Sequence, residues 1–127
     1  MTMKTIYQTS EAPAPIGPYS QATGLGQFVF ISGQIAINPQ NGSFCNHSVE
    51  EEAEQVMKNL LAVLYASGSS AERILKTSIF LTDMADFPIV NAIYDRFFTG
   101  NYPARETVQV AGLPKGARVE ISAIAYI

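Results

Sequence analysis

Two side chains in this sequence are of the right type to act on a small carboxylate. Arg105 follows Tyr102-Pro103-Ala104 and opens a strand, where its planar five-donor fork suits bidentate carboxylate recognition. An ordinary surface arginine is the alternative. Glu120 falls inside an apolar run over 118–126, on the outward parity shared with Ile124 and Tyr126. Its carboxylate is expected to be partly buried and fit for proton transfer, the alternative being a rim glutamate paired with a lysine. Whether the two share a face depends on the register of the strands that carry them, because a slip of one residue reverses every side chain. Cys45 and His47 lie in a turn with no third orienting group, so they are not expected to act as nucleophile and base. One cysteine and one histidine leave no ligand set for a structural zinc, and no metal or cofactor is expected. Gly24-Leu25-Gly26 lacks a third glycine and a following helix, so it reads as punctuation at a strand end.

The elements that must position these residues are marked by period and punctuation. Short strands are expected over 4–8 and 22–25, separated by a loop over 10–18 in which Pro13, Pro15 and Pro18 break any ladder and at whose end Tyr19 stands. A stronger strand, QFVFIS over 27–32, sits between Gly26 and Gly33. Ser48 and Glu51 form a capping box that starts a helix over 49–67. Val49, Ala53, Val56, Met57, Leu60, Leu61 and Leu64 make its apolar stripe, and Gly68 stops it. ILKTSIFL over 74–81 alternates as a strand. A second helix follows, with Pro88 in its first turn and Phe87, Val90, Tyr94, Phe97 and Phe98 as its buried face. Strands over 107–110 and 119–126 are expected to be joined by the turn 112–116 as a hairpin.

The order is βββ-α-β-α-ββ, with each long helix a crossover between parallel strands and both helices on one sheet face. The other face carries Phe, Val and Ile with no helix left to cover it, and a second copy of the chain is the simplest cover.

At 127 residues and 13.8 kDa the chain makes one domain, 1–127. Only 15% of its residues are charged against 47% hydrophobic, and mean hydropathy is +0.11, which excludes disorder and favours an oligomer. A net charge of -3 and the lack of any Lys/Arg cluster disfavour nucleic acid as a partner. No stretch reaches the length of a membrane helix and no secretory leader is present, so a cytoplasmic location is expected.

Several separated blocks resemble one family over nearly the whole chain. They are APIGPYSQ at 14–21, FISGQ at 30–34, KTSIF at 76–80 leading to Asp86-Phe87, VNAIY at 90–94, YPAR at 102–105, LPK at 113–115 and VEI at 119–121. In this order they resemble the Rid family, also called YjgF, and most closely its RidA-type imine deaminases. The resemblance implies an α+β, chorismate-mutase-like fold: a mixed sheet with two helices on one face, assembled as a homotrimer with sites in the clefts between subunits. It also implies hydrolysis of 2-iminobutanoate and 2-iminopropanoate to 2-oxo acids and ammonia without a cofactor. Carried over by residue, Arg105 holds the substrate carboxylate and Glu120 activates water and then helps expel ammonia. Tyr19 closes the pocket, Ser32 and Gly33 line it, and Asn91 lies close by. Thr107, which stands where RidA-type sequences usually carry cysteine, is placed with these substrate-binding residues, and a thiol role at that position is absent here. Two further readings are a translation inhibitor or endoribonuclease, and a non-catalytic small-carboxylate binder or chaperone-like trimer.

Overall fold

The structure is a computed structural model that describes residues 3–127. Its strands are β1 (Thr5–Tyr7), β2 (Ala22–Leu25), β3 (Phe28–Gln34), β4 (Ile74–Leu81), β5 (Ala104–Gln109) and β6 (Val119–Tyr126). The helices are α1 (Val49–Ala66) and α2 (Phe87–Asp95).

α1 begins where Ser48, in extended geometry, turns its hydroxyl to accept from the Glu51 N–H at 3.1 Å. The capping box is only half formed, since the Glu51 carboxylate pairs with His47 Nδ1 at 3.2 Å instead. The helix ends in a Schellman motif: the Ser69 N–H donates to the Leu64 carbonyl and the Gly68 N–H to that of Tyr65. Gly68 has φ of +86°, a backbone conformation that a side chain strains. The expected stripe is buried apart from Leu61, which is half-buried, and two polar residues, Glu52 and Asn59, are buried with it. Asn59 Nδ2 donates to the carbonyls of Ile35 and Ile37, which ties the chain leaving β3 to α1.

The six strands form one sheet in the order β1-β2-β3-β6-β4-β5. β1, β2, β3, β6 and β4 run antiparallel to their neighbours, and β4 pairs with β5 in parallel, as the α2 crossover requires. The hairpin expected between the last two strands does not form. β6 passes to the far side of β4 and inserts between β3 and β4, so the α1 crossover joins two parallel strands that are not neighbours. β6 wins this place because Val119, Ile121, Ala123 and Ala125 give it a fully apolar helix-side face, which only an interior position buries. β5, mostly exposed, takes the edge. Three strands also differ in their bounds, β1 (5–7) being shorter than expected, β3 running 28–34 and β5 running 104–109, and α1 ends one residue early at Ala66.

Both helices cover one face, where Val56, Met57, Leu60, Leu64, Ile79, Leu81, Val90 and Ile121 make the core. In the second helix Val90 and Tyr94 are buried as expected, together with Ile93, while Phe87, Phe97 and Phe98 pack partly buried against the core. The opposite face is open. Phe28 is 52% exposed and Phe30 46%, and Ile6, Leu25, Val108 and Tyr126 are exposed with them. Leu60→Ala should cost about 2–5 kcal/mol through the cavity it leaves, and Gly68→Ala about 1 kcal/mol through backbone strain, both read by denaturant unfolding. Equal costs would show that Leu60 sits in a region that collapses freely.

Candidate active site

Paired residues in a ladder project to the same face, and successive residues alternate. Arg105 pairs with Thr77 on β4, and Glu120 pairs with Phe80. Thr77 and Phe80 are three apart, so Arg105 lies on the helix-side face and Glu120 on the open face. Within one chain the two candidate groups are therefore divided between opposite faces of the sheet.

The first group surrounds Arg105 at the edge strand. Thr77 is fully buried, and its hydroxyl meets the Tyr94 hydroxyl at 2.8 Å, which anchors α2 over β4. Burial raises the Tyr94 pKa, which keeps the phenol neutral. The Arg105 guanidinium carbon lies 5.1 Å from the Tyr94 ring centroid and 5.5 Å from that of Phe87, within cation–π range of both. Arg105 Nη1 donates to Asn91 Oδ1 at 2.7 Å. Asn91 thus orients the fork, and no carboxylate pairs with Arg105 among the described residues. A cleft of about 620 Å³ opens here, lined by Asn91, Tyr94, Asp95, Tyr102, Pro103 and Arg105. Tyr102 donates to Asp95 across its rim, which raises the phenol pKa. Thr107 is two residues beyond Arg105 on the same face, and its buried hydroxyl has no hydrogen-bond partner among the described residues.

The second group surrounds Glu120 on the open face. The β3–β6 register goes from Ile31↔Ala123 to Gln34↔Ile121, so β3 carries one extra residue at Ser32-Gly33. This bulge presents Gly33 directly to the Glu120 side chain. A Cβ at Gly33 would fall 2.7 Å from Glu120 Cδ and 2.8 Å from Oε1, closer than atoms can approach. Only glycine admits the carboxyl there. Ser32 donates to the Ser20 carbonyl at 2.6 Å, which fixes the loop that carries Tyr19. Gln21 anchors the base of that loop, donating to the carbonyls of Thr9, Ala12 and Pro13. Ile16, Tyr19, Ser32, Gly33, Ile35, Pro114 and Glu120 line an open cleft of about 290 Å³. Glu120 is half-buried with no ion pair among the described residues, and desolvation raises its pKa.

The structure therefore brings Arg105 together with Asn91, and Glu120 with Tyr19, Ser32 and Gly33. It does not bring the two sets together. Cys45 and His47 have separate partners: Cys45 faces Gln55 and His47 faces Glu51. No group of three or more His, Cys, Asp or Glu placed to hold a metal occurs among the described residues. Sequence reasoning read Phe87 and Tyr94 as core residues and missed that their rings also carry Arg105. It also missed Ile16, Ile35 and Pro114 as walls around Glu120, although Ile16 and Pro114 lie within the family-like blocks.

Residues 9–127 match the family described as Endoribonuclease L-PSP. The chain belongs to that family. Among Endoribonuclease L-PSP relatives, the mouse protein named 2-iminobutanoate/2-iminopropanoate deaminase is 46% identical over 97% of this chain and 91% of its own length. The crystal structure of E. coli TdcF with bound serine superposes with a TM-score of 0.93 at 42% identity, covering 97% of this chain and 98% of that one. The structure of the E. coli YjgF gene product gives a TM-score of 0.92 at 42% identity, covering 96% and 98%. The mixed sheet with two helices on one face is thus the fold of these proteins. No helix among the described residues is long and apolar enough to cross a membrane.

Gly33→Ala should displace the Glu120 carboxyl and lower any activity that depends on it at least tenfold, while the unfolding midpoint stays near wild type. Retained activity would show that Glu120 need not sit against bare backbone.

Proposed function

We propose that this chain works as a cytoplasmic, cofactor-independent homotrimer that hydrolyses reactive 2-imino acids, with Arg105 of one subunit and Glu120 of its neighbour facing the same cleft. The reaction converts 2-iminobutanoate or 2-iminopropanoate into the 2-oxo acid and ammonia. The observation that carries this reading is the Arg105 guanidinium: stacked on two rings, oriented by Asn91 and lacking a carboxylate partner among the described residues, it is prepared for an anionic ligand.

In the mechanism, Arg105 takes the substrate carboxylate through its remaining donors and so fixes the iminium carbon in place. Glu120 accepts a proton from water as the water oxygen bonds to that carbon and the C=N electron pair moves to nitrogen. The product of this step is a neutral carbinolamine. Glu120 then returns the proton to the amine nitrogen, the C–N bond breaks, and ammonia leaves. The hydroxyl passes its proton to the departing ammonia as the carbonyl forms, so iminium and water become 2-oxo acid and ammonium and Glu120 is left as the carboxylate. Tyr19 shields the step from bulk solvent, Ser32 and Gly33 line the water side, and Thr107 lies next to the anion side. A threonine in place of the usual cysteine removes no atom that this mechanism uses.

A ring of three copies joins unlike surfaces head to tail, so each cleft takes one face from each neighbour. The division of Arg105 and Glu120 between opposite sheet faces favours such a ring. So does the exposed apolar patch around Phe28 and Phe30.

The test couples a threonine dehydratase to the protein and traps the transient imine with semicarbazide. Wild type should lower the trapped imine, whereas Arg105→Ala and Glu120→Ala should match the blank while light scattering still reports a trimer. An active Arg105→Ala trimer would sink the proposal. Mixing the two inactive variants with subunit exchange should restore about a quarter of wild-type activity, since three quarters of random trimers are mixed and each holds one intact cleft of three. No recovery from the mixture would place both residues in one subunit's site.

The pH dependence follows from the upward shift at Glu120. The base must be ionised, so activity should be full above its raised pKa and fall as pH drops through that value. An acid limb within the ordinary carboxylate range would mean that Glu120 is solvated when it acts.

A further inference from the structure

Glu52 is a carboxylate on the apolar stripe of α1, only 1% exposed. Such a charge persists in a core only when it is paired and hydrogen-bonded. Its Oε2 accepts from the backbone N–H of Arg118 at 2.6 Å and of Val119 at 3.2 Å, and its Oε1 accepts from Arg118 Nε at 2.8 Å. Arg118 Nη2 also donates to the Asn46 carbonyl at 2.8 Å. The guanidinium is thereby closed into the joint between α1, the turn ahead of it and the start of β6.

Glu120 is two residues further along. Arg118 stands in the bend that leads into β6, where its N–H and that of Val119 turn to the same Glu52 oxygen. It is only two positions from Glu120, so a guanidinium released from Glu52 has the reach to come beside that carboxyl. Glu52 draws it around the end of the sheet to the helix side instead.

We propose that Glu52 is a positioning residue for Glu120: it holds the Arg118 cation on the helix side and pins the head of β6, so that the open-face carboxylate meets its substrate with no cation beside it. This rests on the reading of Glu120 as the base. A cation within about 4–6 Å lowers a carboxylate pKa by about 1–3 units and weakens the base accordingly. The other titratable groups on the elements around Glu120 are few. The loop before β2 offers Tyr19 and the exposed Glu11, β3 offers none, and the turn before β6 offers the exposed Lys115. On β4 and β5, Lys76 and Glu106 pair with each other at 3.0 Å. Burial is the cause of the upward shift at Glu120, and Arg118 does not contribute to it.

The test is a carboxyl-carbon NMR titration of the 13C-glutamate-labelled protein, with the Glu120 signal assigned by its loss in Glu120→Gln. In Glu52→Gln the Glu120 midpoint should fall by about one unit. It should return to the wild-type value in Glu52→Gln/Arg118→Met, where neither charge remains. Kinetically, Glu52→Gln should lower kcat with KM little changed, because Arg105 still holds the carboxylate. If Glu52→Gln does not fold, Glu52→Asp withdraws the carboxylate from Arg118 while keeping its charge, and should shift the midpoint the same way. An unmoved midpoint in the folded variant overturns the proposal, and so does a fall that persists in the double variant. Full activity of Glu120→Gln would overturn the reading of Glu120 as base and leave the titration result standing, so the two failures are distinguishable.

Discussion

A strand hydrogen-bonded on both edges can send its side chains in only two directions, and β6 is held in that way between β3 and β4. Val119, Ile121, Ala123 and Ala125 go under the helices, which fixes Glu120, Ser122, Ile124 and Tyr126 on the open side. The parallel β4–β5 ladder carries the same alternation to the edge and sets Arg105 beneath α2. Arg105 and Glu120 are thus assigned to opposite faces by pairing alone, before any side-chain contact is made.

How much of this was legible depends on whether the signal was local. Ser48 and Gly68 mark the ends of α1 because a cap and an αL residue are dictated by the backbone next to them. The apolar face of β6 and the alternation of β4 could be read in the same way. The insertion of β6 was not legible, since it depends on which of two strands offers the more apolar surface to an interior position. The extra residue at Ser32-Gly33 was hidden too, because a bulge is a property of the pair and not of one strand. Glu52 and Asn59 are the polar residues buried on α1. They are satisfied only by backbone that arrives from residues 118–119 and 35–37. Arg105, Glu120, Tyr19, Ser32, Gly33 and Asn91 were named from sequence, but their separation into two groups required coordinates.

The two groups suit different electrostatic tasks. Arg105 keeps its charge in any environment, so it needs orientation more than a shifted pKa. The rings of Tyr94 and Phe87 and the Asn91 oxygen provide orientation without neutralising it. Under the proposed mechanism Glu120 needs the opposite treatment, since a carboxylate in water is too weak a base to draw a proton from water efficiently. Ile16, Ile35 and Pro114 withdraw solvent from it, and Gly33 lets it lie against backbone with no side chain between.

Covering the open face would act on both association and chemistry. The surface around Phe28, Phe30 and Val108 gains stability when a neighbour removes it from water. Glu120 stands on that same face, so the neighbour also strips water from its carboxyl and raises the pKa further. A carboxyl that binds its proton more tightly when covered favours the covered state at low pH and opposes it as pH rises through the raised value. The apolar contacts must therefore outweigh the cost of keeping an ionised base beneath them. A cation fixed next to Glu120 would relieve that cost permanently and would also make the base weaker. In the proposed trimer, a substrate whose carboxylate is held by the neighbour's Arg105 brings its positive iminium to Glu120 only when the cleft is occupied. The carboxylate is then stabilised at the moment of reaction, and the empty site retains its basicity.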